Sequence, residues 1–197
     1  MEPAAAVVDA AAPTAPAEAA VAPTRYLLVC SGNTCRSPMA EALLADLLAR
    51  RGEAGVVHSC GTGAADGEPA SVGAVGAMRV LSEEGTVSPD ALSRVQRHRS
   101  AGVSPAAVAG ADVILTMGAS HRDSLFRIFG APALAHARVL QVSEFGRYGA
   151  AGRPATFTGR LPDVADPFMR PLADYVATAR QLHAALADGL AGGRRES

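Results

Sequence analysis

The chain has 197 residues, of which 49% are hydrophobic, and a formal net charge of -1, as expected of one globular domain with a substantial core. The near-neutral charge gives no electrostatic reason to expect binding to nucleic acid or to an anionic membrane, and no apolar run approaches the ~20 residues of a membrane span. All 18 basic residues are arginine, which excludes Schiff-base chemistry and a nucleotide-binding P-loop lysine.

The two ends of the chain differ in composition from the middle. Fifteen of the first 24 residues are alanine or proline, and no basic residue precedes an apolar block as in a signal peptide. We therefore expect residues 1–24 to form a disordered tail, residues 25–190 to form one folded domain, and residues 191–197 to fray. A monomer is expected.

Strand and helix patterns alternate along the middle of the chain. In chain order they predict strand Tyr26–Cys30, helix Ser37–Arg51, strand Val56–Cys60, helix Ala70–Glu84, short helix Ser104–Ala109, strand Asp112–Met117, helix Ser120–Phe129, strand Arg138–Val142, a loop over 146–170 and helix Pro171–Leu190. This order predicts an α/β fold, a single domain with a four-stranded parallel sheet flanked by helices on both faces. Ligands of such sheets bind beyond the carboxyl ends of the strands, where Cys30 lies.

The stretch "CSGNTCRS", which follows the first strand, has the composition of an anion-binding loop. Its backbone N–H groups can turn inward, and the next helix adds the partial positive charge of its N-terminus, with Pro38 and the acid Glu41 expected in its first turn. Arg36 can hold two oxygens of a tetrahedral anion, and the same field favours the thiolate of Cys30, a nucleophile. Alternatively, Cys30 is a buried structural cysteine at a strand end.

The segment "CSGNTCRSPMAE" resembles the signature of the low-molecular-weight protein tyrosine phosphatase family. Three further segments resemble that family: "SCGTG" at 59–63, "ADVILTM…H" at 111–121 and "DPF" at 166–168. The resemblance covers most of residues 25–190 and implies a phosphatase domain there, with a Cys-x5-Arg phosphate-binding loop.

The resemblance also implies roles for single residues. Cys30 would attack phosphorus to form a cysteinyl-phosphate, Arg36 would hold the phosphoryl oxygens, and Asp166 would act as general acid and then base. Asp163 is a second candidate for the acid. The phosphate-binding and supporting loop residues would be Ser31, Gly32, Asn33, Thr34, Cys35 and Ser37, with Asn33 bracing the loop and the Ser37 hydroxyl bonded to the thiolate. No cofactor is implied and no metal, and the five histidines lack metal-ligand spacing.

The three cysteines, Cys30, Cys35 and Cys60, are few and odd in number, which favours a reducing compartment, the cytoplasm, over a secreted disulfide scaffold. Cys35 lies in the same loop as Cys30, so one hypothesis is that it captures oxidised Cys30 as a disulfide. Alternatively, it only fills space. Cys60 is expected in the core.

Three residues of a predicted substrate rim, Thr34, Asp66 and Phe168, favour phosphoarginine over phosphotyrosine as the substrate. Thr34 resembles the arginine-directed branch of the family, where tyrosine-directed members carry a bulkier aliphatic residue. Asp66 stands where tyrosine-directed members place an aromatic residue, and it can pair with a guanidinium. Phe168 can stack on either group.

The expected partner is therefore a phosphorylated protein, with phosphotyrosine as the close alternative substrate. Arsenate reduction is disfavoured because no cysteine follows Cys60 to complete a disulfide relay. A non-catalytic phosphate-sensing module is disfavoured because Cys30, Arg36 and Asp166 are all present.

Overall fold

A computed structural model describes residues 22–152, 159 and 161–192. Most of the predicted tail, most of the predicted frayed end and part of the predicted 146–170 loop lie outside these residues. The elements in chain order are β1 (Thr24–Cys30), α1 (Arg36–Arg51), β2 (Gly55–Gly61), α2 (Val72–Glu83), α3 (Pro89–Arg97), α4 (Pro105–Ala109), β3 (Val113–Thr116), α5 (Ala119–Leu134), β4 (Arg138–Gln141), α6 (Val142–Tyr148), a 3-10 turn (Gly149–Ala151) and α7 (Leu172–Leu190).

The four strands form one sheet in the order β2-β1-β3-β4, and every neighbouring pair is parallel. This confirms the predicted single-domain α/β fold. Strand β1 lies inside the sheet, hydrogen-bonded to β2 on one side and to β3 on the other. Its carboxyl end, at Cys30, therefore lies between the carboxyl ends of β2 and β3, at the edge where the loops that follow these three strands come together.

Alternate residues of β1 point to two hydrophobic cores. Leu28 packs with residues of α1, α2 and α7, whereas Leu27 and Val29 pack on the other face with residues of α4 and α5. Both faces of the sheet are therefore covered, which explains why β1 is an unbroken apolar run rather than an alternating one.

Two helices were not predicted, and the starts of α1, α2, α5 and α7 differ by one or two residues from the predicted ones. The unpredicted helices are α3, which Ser88 caps, and α6, which begins at Val142, the last residue of a predicted strand, and extends into the predicted 146–170 loop. Helix α1 begins at Arg36, so Glu41 lies beyond its first turn. Helix α5 begins at Ala119 rather than behind a Ser120 cap, and its backbone departs from helical geometry at Gly130.

Within the part of the chain that the structure describes, no helix is long and apolar enough to cross a membrane.

Candidate active site

The loop between β1 and α1 wraps around the sulfur of Cys30, which is buried at the end of β1. The backbone N–H of Asn33 donates a hydrogen bond to Cys30 Sγ (3.3 Å), and Ser37 Oγ lies 3.0 Å from the same sulfur. These contacts to the loop fit the predicted role of Cys30 as a nucleophile.

Asn33 braces the loop through both its backbone and its side chain. Its φ angle of 52° lies in the left-handed region, which asparagine tolerates better than most residues. Its buried amide nitrogen donates to Ser37 Oγ (2.9 Å) and Ser59 Oγ (2.9 Å), and its amide oxygen accepts from Ala101 N (2.8 Å). Because Ser37 Oγ accepts from Asn33, the hydroxyl hydrogen of Ser37 is free to point at Cys30 Sγ.

A second layer of polar groups supports Asn33, and the sequence did not reveal it. His98 Nε2 bonds to the backbone oxygen of Asn33 (2.8 Å). Ser59 donates to Glu41 (2.6 Å), which also pairs with Arg94 at 3.2 Å. Glu41 thus connects the loop to β2 and α3, a role that no local pattern in the sequence indicated.

Arg36 lies at the start of α1 and is 7% exposed. It faces residues 161–167, which contain Asp166 and form the acid-bearing segment. Its NH2 group pairs with Asp166 Oδ2 at 2.6 Å, and its NH1 group donates to the backbone oxygen of Val164 (3.4 Å). Its buried Nε has no hydrogen-bond partner among the described residues. An unpaired buried guanidinium donor is unfavourable unless an anion can bind it, which fits the predicted oxyanion role.

A cavity of about 250 Å³ opens above the loop. Its lining unites the predicted nucleophile, arginine, acid and most of the loop: Cys30, Ser31, Gly32, Thr34, Cys35, Arg36, Asp166 and Phe168. Phe168 stands at the mouth, 61% exposed. The structure therefore brings together residues from two segments that lie about 130 positions apart in the sequence, 30–36 and 166–168.

Asp66, by contrast, does not line this cavity. Its carboxylate accepts a hydrogen bond from the backbone N–H of Gly102 (2.6 Å), in the exposed loop that follows β2. The structure thus places two of the three predicted rim residues, Thr34 and Phe168, at the cavity and the third elsewhere.

Asp163 also lies outside the cavity lining and has another role. Its Oδ1 accepts hydrogen bonds from Ala119 N (3.0 Å) at the start of α5 and from Gln141 Nε2 (3.3 Å). A side chain at Gly118 would come within 2.7 Å of the Asp163 carboxyl carbon, so glycine is needed at that position. The geometry favours Asp166 over Asp163 as the acid.

Ser31, the first residue of the loop, bonds through its Oγ to His121 Nε2 (3.0 Å) in the first turn of α5. The histidine is 5% exposed. Burial, followed by the nearby Arg36 guanidinium, lowers the pKa of His121 below its ordinary value of 6.5. The imidazole is therefore neutral at neutral pH.

The other two cysteines have different surroundings. The thiol of Cys35 donates to Ser71 Oγ (3.3 Å) and lies 3.8 Å from the Tyr175 hydroxyl. Burial raises the pKa of the Cys60 thiol to about 12, as expected of a core cysteine. All three cysteines are free thiols, and the hypothesis that Cys35 captures oxidised Cys30 stays a prediction.

Comparison with known proteins agrees with this geometry. The family model for low molecular weight phosphotyrosine protein phosphatase matches residues 25–191. A protein-arginine-phosphatase of Geobacillus stearothermophilus is 34% identical over 81% of this chain and 89% of its own length. The low molecular weight protein-tyrosine-phosphatase PtpB of Staphylococcus haemolyticus is 28% identical over 80% of this chain and 91% of its own.

A solved structure of a low molecular weight protein tyrosine phosphatase from T. tengcongensis superposes with a TM-score of 0.68. It is 31% identical in sequence, and the match covers 85% of this chain and 98% of that one. The chain belongs to the low molecular weight phosphotyrosine protein phosphatase family, whose members are cysteine-dependent phosphatases that need no metal.

Proposed function

We propose that this phosphatase hydrolyses phosphorylated protein side chains through a cysteinyl-phosphate, and that it prefers phosphoarginine. The observation that carries the mechanism is the convergence of Cys30, Arg36 and Asp166 on one cavity of about 250 Å³. A nucleophile, a guanidinium clamp and a carboxyl group at its mouth are the groups that in-line phosphoryl transfer to sulfur requires.

In the first step, the thiolate of Cys30 attacks phosphorus while the bond from phosphorus to the substrate oxygen or nitrogen breaks. Asp166 gives its proton to the leaving group, and Arg36 with the loop N–H groups holds the three phosphoryl oxygens. In the second step, water attacks the cysteinyl-phosphate, Asp166 takes the proton of that water, and the thiolate leaves. The enzyme returns to its initial state and releases inorganic phosphate.

The present ion pair between Arg36 and Asp166 fits this sequence of events. The Arg36 side chain is buried, whereas the Asp166 side chain is 51% exposed, so the carboxylate can turn away from Arg36 when a phosphoryl group arrives. The incoming dianion then replaces the carboxylate as the partner of the guanidinium, which leaves Asp166 free to take up a proton and serve the leaving group.

The preference for phosphoarginine is supported by Thr34, a loop residue that lines the cavity and whose hydroxyl oxygen lies 3.7 Å from Cys35 Sγ. A threonine leaves more room than a larger aliphatic side chain and offers a polar group to a guanidinium. The protein-arginine-phosphatase name of one relative points the same way. Phosphotyrosine is the second candidate, supported by the exposed ring of Phe168, on which a phenol can stack, and by the tyrosine-phosphatase relatives.

The test compares kcat/KM on matched phosphoarginine and phosphotyrosine peptides for the wild type and Thr34→Ile, with Cys30→Ser as the blank. We expect the wild type to favour phosphoarginine and Thr34→Ile to shift the ratio toward phosphotyrosine by about tenfold, the effect of ~1.4 kcal/mol. Thr86→Ile, which makes the same change outside the cavity, is the control. A wild type that prefers phosphotyrosine would overturn the arginine assignment.

A further inference from the structure

We propose that His121 is a positioning residue that keeps the acid-bearing segment aligned with the phosphate loop while Arg36 is occupied by the phosphoryl group. The inference rests on the proposed role of Asp166 as general acid. It assigns a function to a buried histidine that the chemical steps themselves do not use.

Contacts join the acid-bearing segment, residues 161–167, to the loop directly through Arg36 and indirectly through two helices, α5 and α7. The link through α7 reaches the loop at Cys35 rather than next to Cys30. Ala165 bonds to Gln181 and Thr178, while Tyr175, elsewhere on that helix, lies 3.8 Å from Cys35 Sγ.

The direct link is Arg36, whose guanidinium bonds to Asp166 and to the backbone of Val164. The same guanidinium must hold phosphoryl oxygens during both chemical steps, so at least its bond to Asp166 is given up when substrate binds. A second connection is needed if Asp166 is to stay over the leaving group.

The indirect connection through α5 begins at Asp163, three residues before the acid. Asp163 binds the first N–H group of α5, at Ala119, and the adjoining Val164 N–H donates to the backbone oxygen of Met117 (2.8 Å). The Asp163 carboxylate lies so close to Gly118, just before α5, that no side chain would fit at that position. The acid-bearing segment is therefore fixed to the start of α5.

The connection ends at the loop through His121, in the first turn of that helix. Its Nε2 bonds to Ser31 Oγ, and Ser31 adjoins the nucleophile and lines the cavity. The charged groups that act on the imidazole are Arg36 from α1 and Asp163 and Asp166 from the acid-bearing segment. None of the bonds in this path involves Arg36, so the path persists when the guanidinium turns to the phosphoryl group.

The reaction of two aryl phosphates tests this role. Phenyl phosphate has a poor leaving group that needs a proton from Asp166, whereas para-nitrophenyl phosphate has a good one that needs it far less. We expect His121→Ala to lower kcat/KM, which reports the first chemical step and not the later hydrolysis of the cysteinyl-phosphate, about tenfold on phenyl phosphate, part of the 10²–10⁴ that a positioned acid contributes, and about twofold or less on para-nitrophenyl phosphate.

Two further variants keep the test decisive. Ser31→Ala removes the same hydrogen bond from the loop side and should show the same dependence on the leaving group, even if His121→Ala folds poorly. His121→Gln places an amide nitrogen near the position of Nε2 and should restore kcat/KM on phenyl phosphate to within about threefold of wild type. His136→Ala is the control, because the ring of that exposed histidine bonds to the backbone oxygen of Val108 and lies outside the cavity lining.

Equal losses on both substrates, or no loss in either His121→Ala or Ser31→Ala, would overturn the inference. Asp166→Ala separates this failure from that of the proposed function. Its kcat/KM should fall about 100-fold on phenyl phosphate and far less on para-nitrophenyl phosphate. If Asp166→Ala shows that dependence and the His121 and Ser31 variants do not, only the positioning role is wrong. If Asp166→Ala lacks it as well, the acid assignment falls, and this inference falls with it.

Discussion

Replacing Asn33 by alanine tests whether this side chain holds the catalytic loop in shape. The substitution removes three hydrogen bonds of 2.8–2.9 Å, each of which contributes roughly 1 kcal/mol net. Alanine is also less favourable than asparagine at a φ of 52°, by roughly 1 kcal/mol. The free energy of unfolding should therefore fall by roughly 4 kcal/mol, a large part of the 5–15 kcal/mol that is typical of a domain.

The assay is urea unfolding with linear extrapolation, together with kcat on para-nitrophenyl phosphate. Asn33→Gly is the matched variant, because it removes the same bonds but tolerates the left-handed backbone, so its loss should be roughly 1 kcal/mol smaller. Both variants should also lose kcat, since Ser37 is no longer oriented toward Cys30 Sγ. An Asn33→Gly protein that loses less than about 1 kcal/mol would refute the bracing role of the side chain.

Three further predictions follow from local geometry. Gly118→Ala places a methyl group 2.7 Å from the Asp163 carboxyl carbon and should lower both kcat and the melting temperature, whereas Gly63→Ala, with open space around it, should change neither melting temperature nor fold. Burial, and then Arg50, lowers the pKa of His183 below 6.5, so the unfolded chain binds more protons and the native state loses stability as pH falls below about 6.5. His183→Gln should therefore lose less stability between pH 7.5 and pH 5 than wild type in urea titrations; an equal loss would contradict this. Iodoacetamide at pH 7.5 should alkylate Cys30 and leave Cys60, whose pKa is about 12, unmodified in the native protein, as peptide mass analysis would show.

The sequence predicted the parts of the site that are set by neighbours along the chain. The apolar run before Cys30 predicted a buried strand, which the structure contains, and Gly32 with Arg36 predicted an anion-binding loop, whose residues line the cavity in the structure. Cys30 and Asp166 are far apart in the sequence, and only the family resemblance predicted that they share one site. No physical pattern in the chain says that these two residues meet.

The parts that could not be predicted depend on contacts between distant segments. Glu41 was taken as a helix-start acid, but its partners come from β2 and α3. His98 showed no pattern of its own, and His121 entered only as part of a family resemblance that gave it no role; each bonds to the loop through one contact. Asp66 was placed at the rim from its sequence position, although the loop after β2 turns its carboxylate to Gly102.

The two unpredicted helices had usable local signals. Helix α3 has a serine cap at Ser88 followed by Pro89, and α6 has a capping box between Gln141 and Glu144. In α6 the signal was hidden because Val142, a β-branched residue, continues the apolar pattern of the strand before it. The local sequence at Val142 is compatible with either a longer strand or a helix start, and packing in the folded protein selects the helix.

The placement of β1 inside the sheet has a consequence for how this enzyme can change. The nucleophile ends a strand whose backbone is paired on both sides, so amide protons of β1 should exchange only on global unfolding. The proposed acid, Asp166, lies by contrast in residues 161–167, which have no regular secondary structure. Substitutions in that segment can change how the leaving group is protonated with little loss of folding stability. New substrates can therefore evolve through changes around Asp166 while the position of the Cys30 sulfur stays fixed.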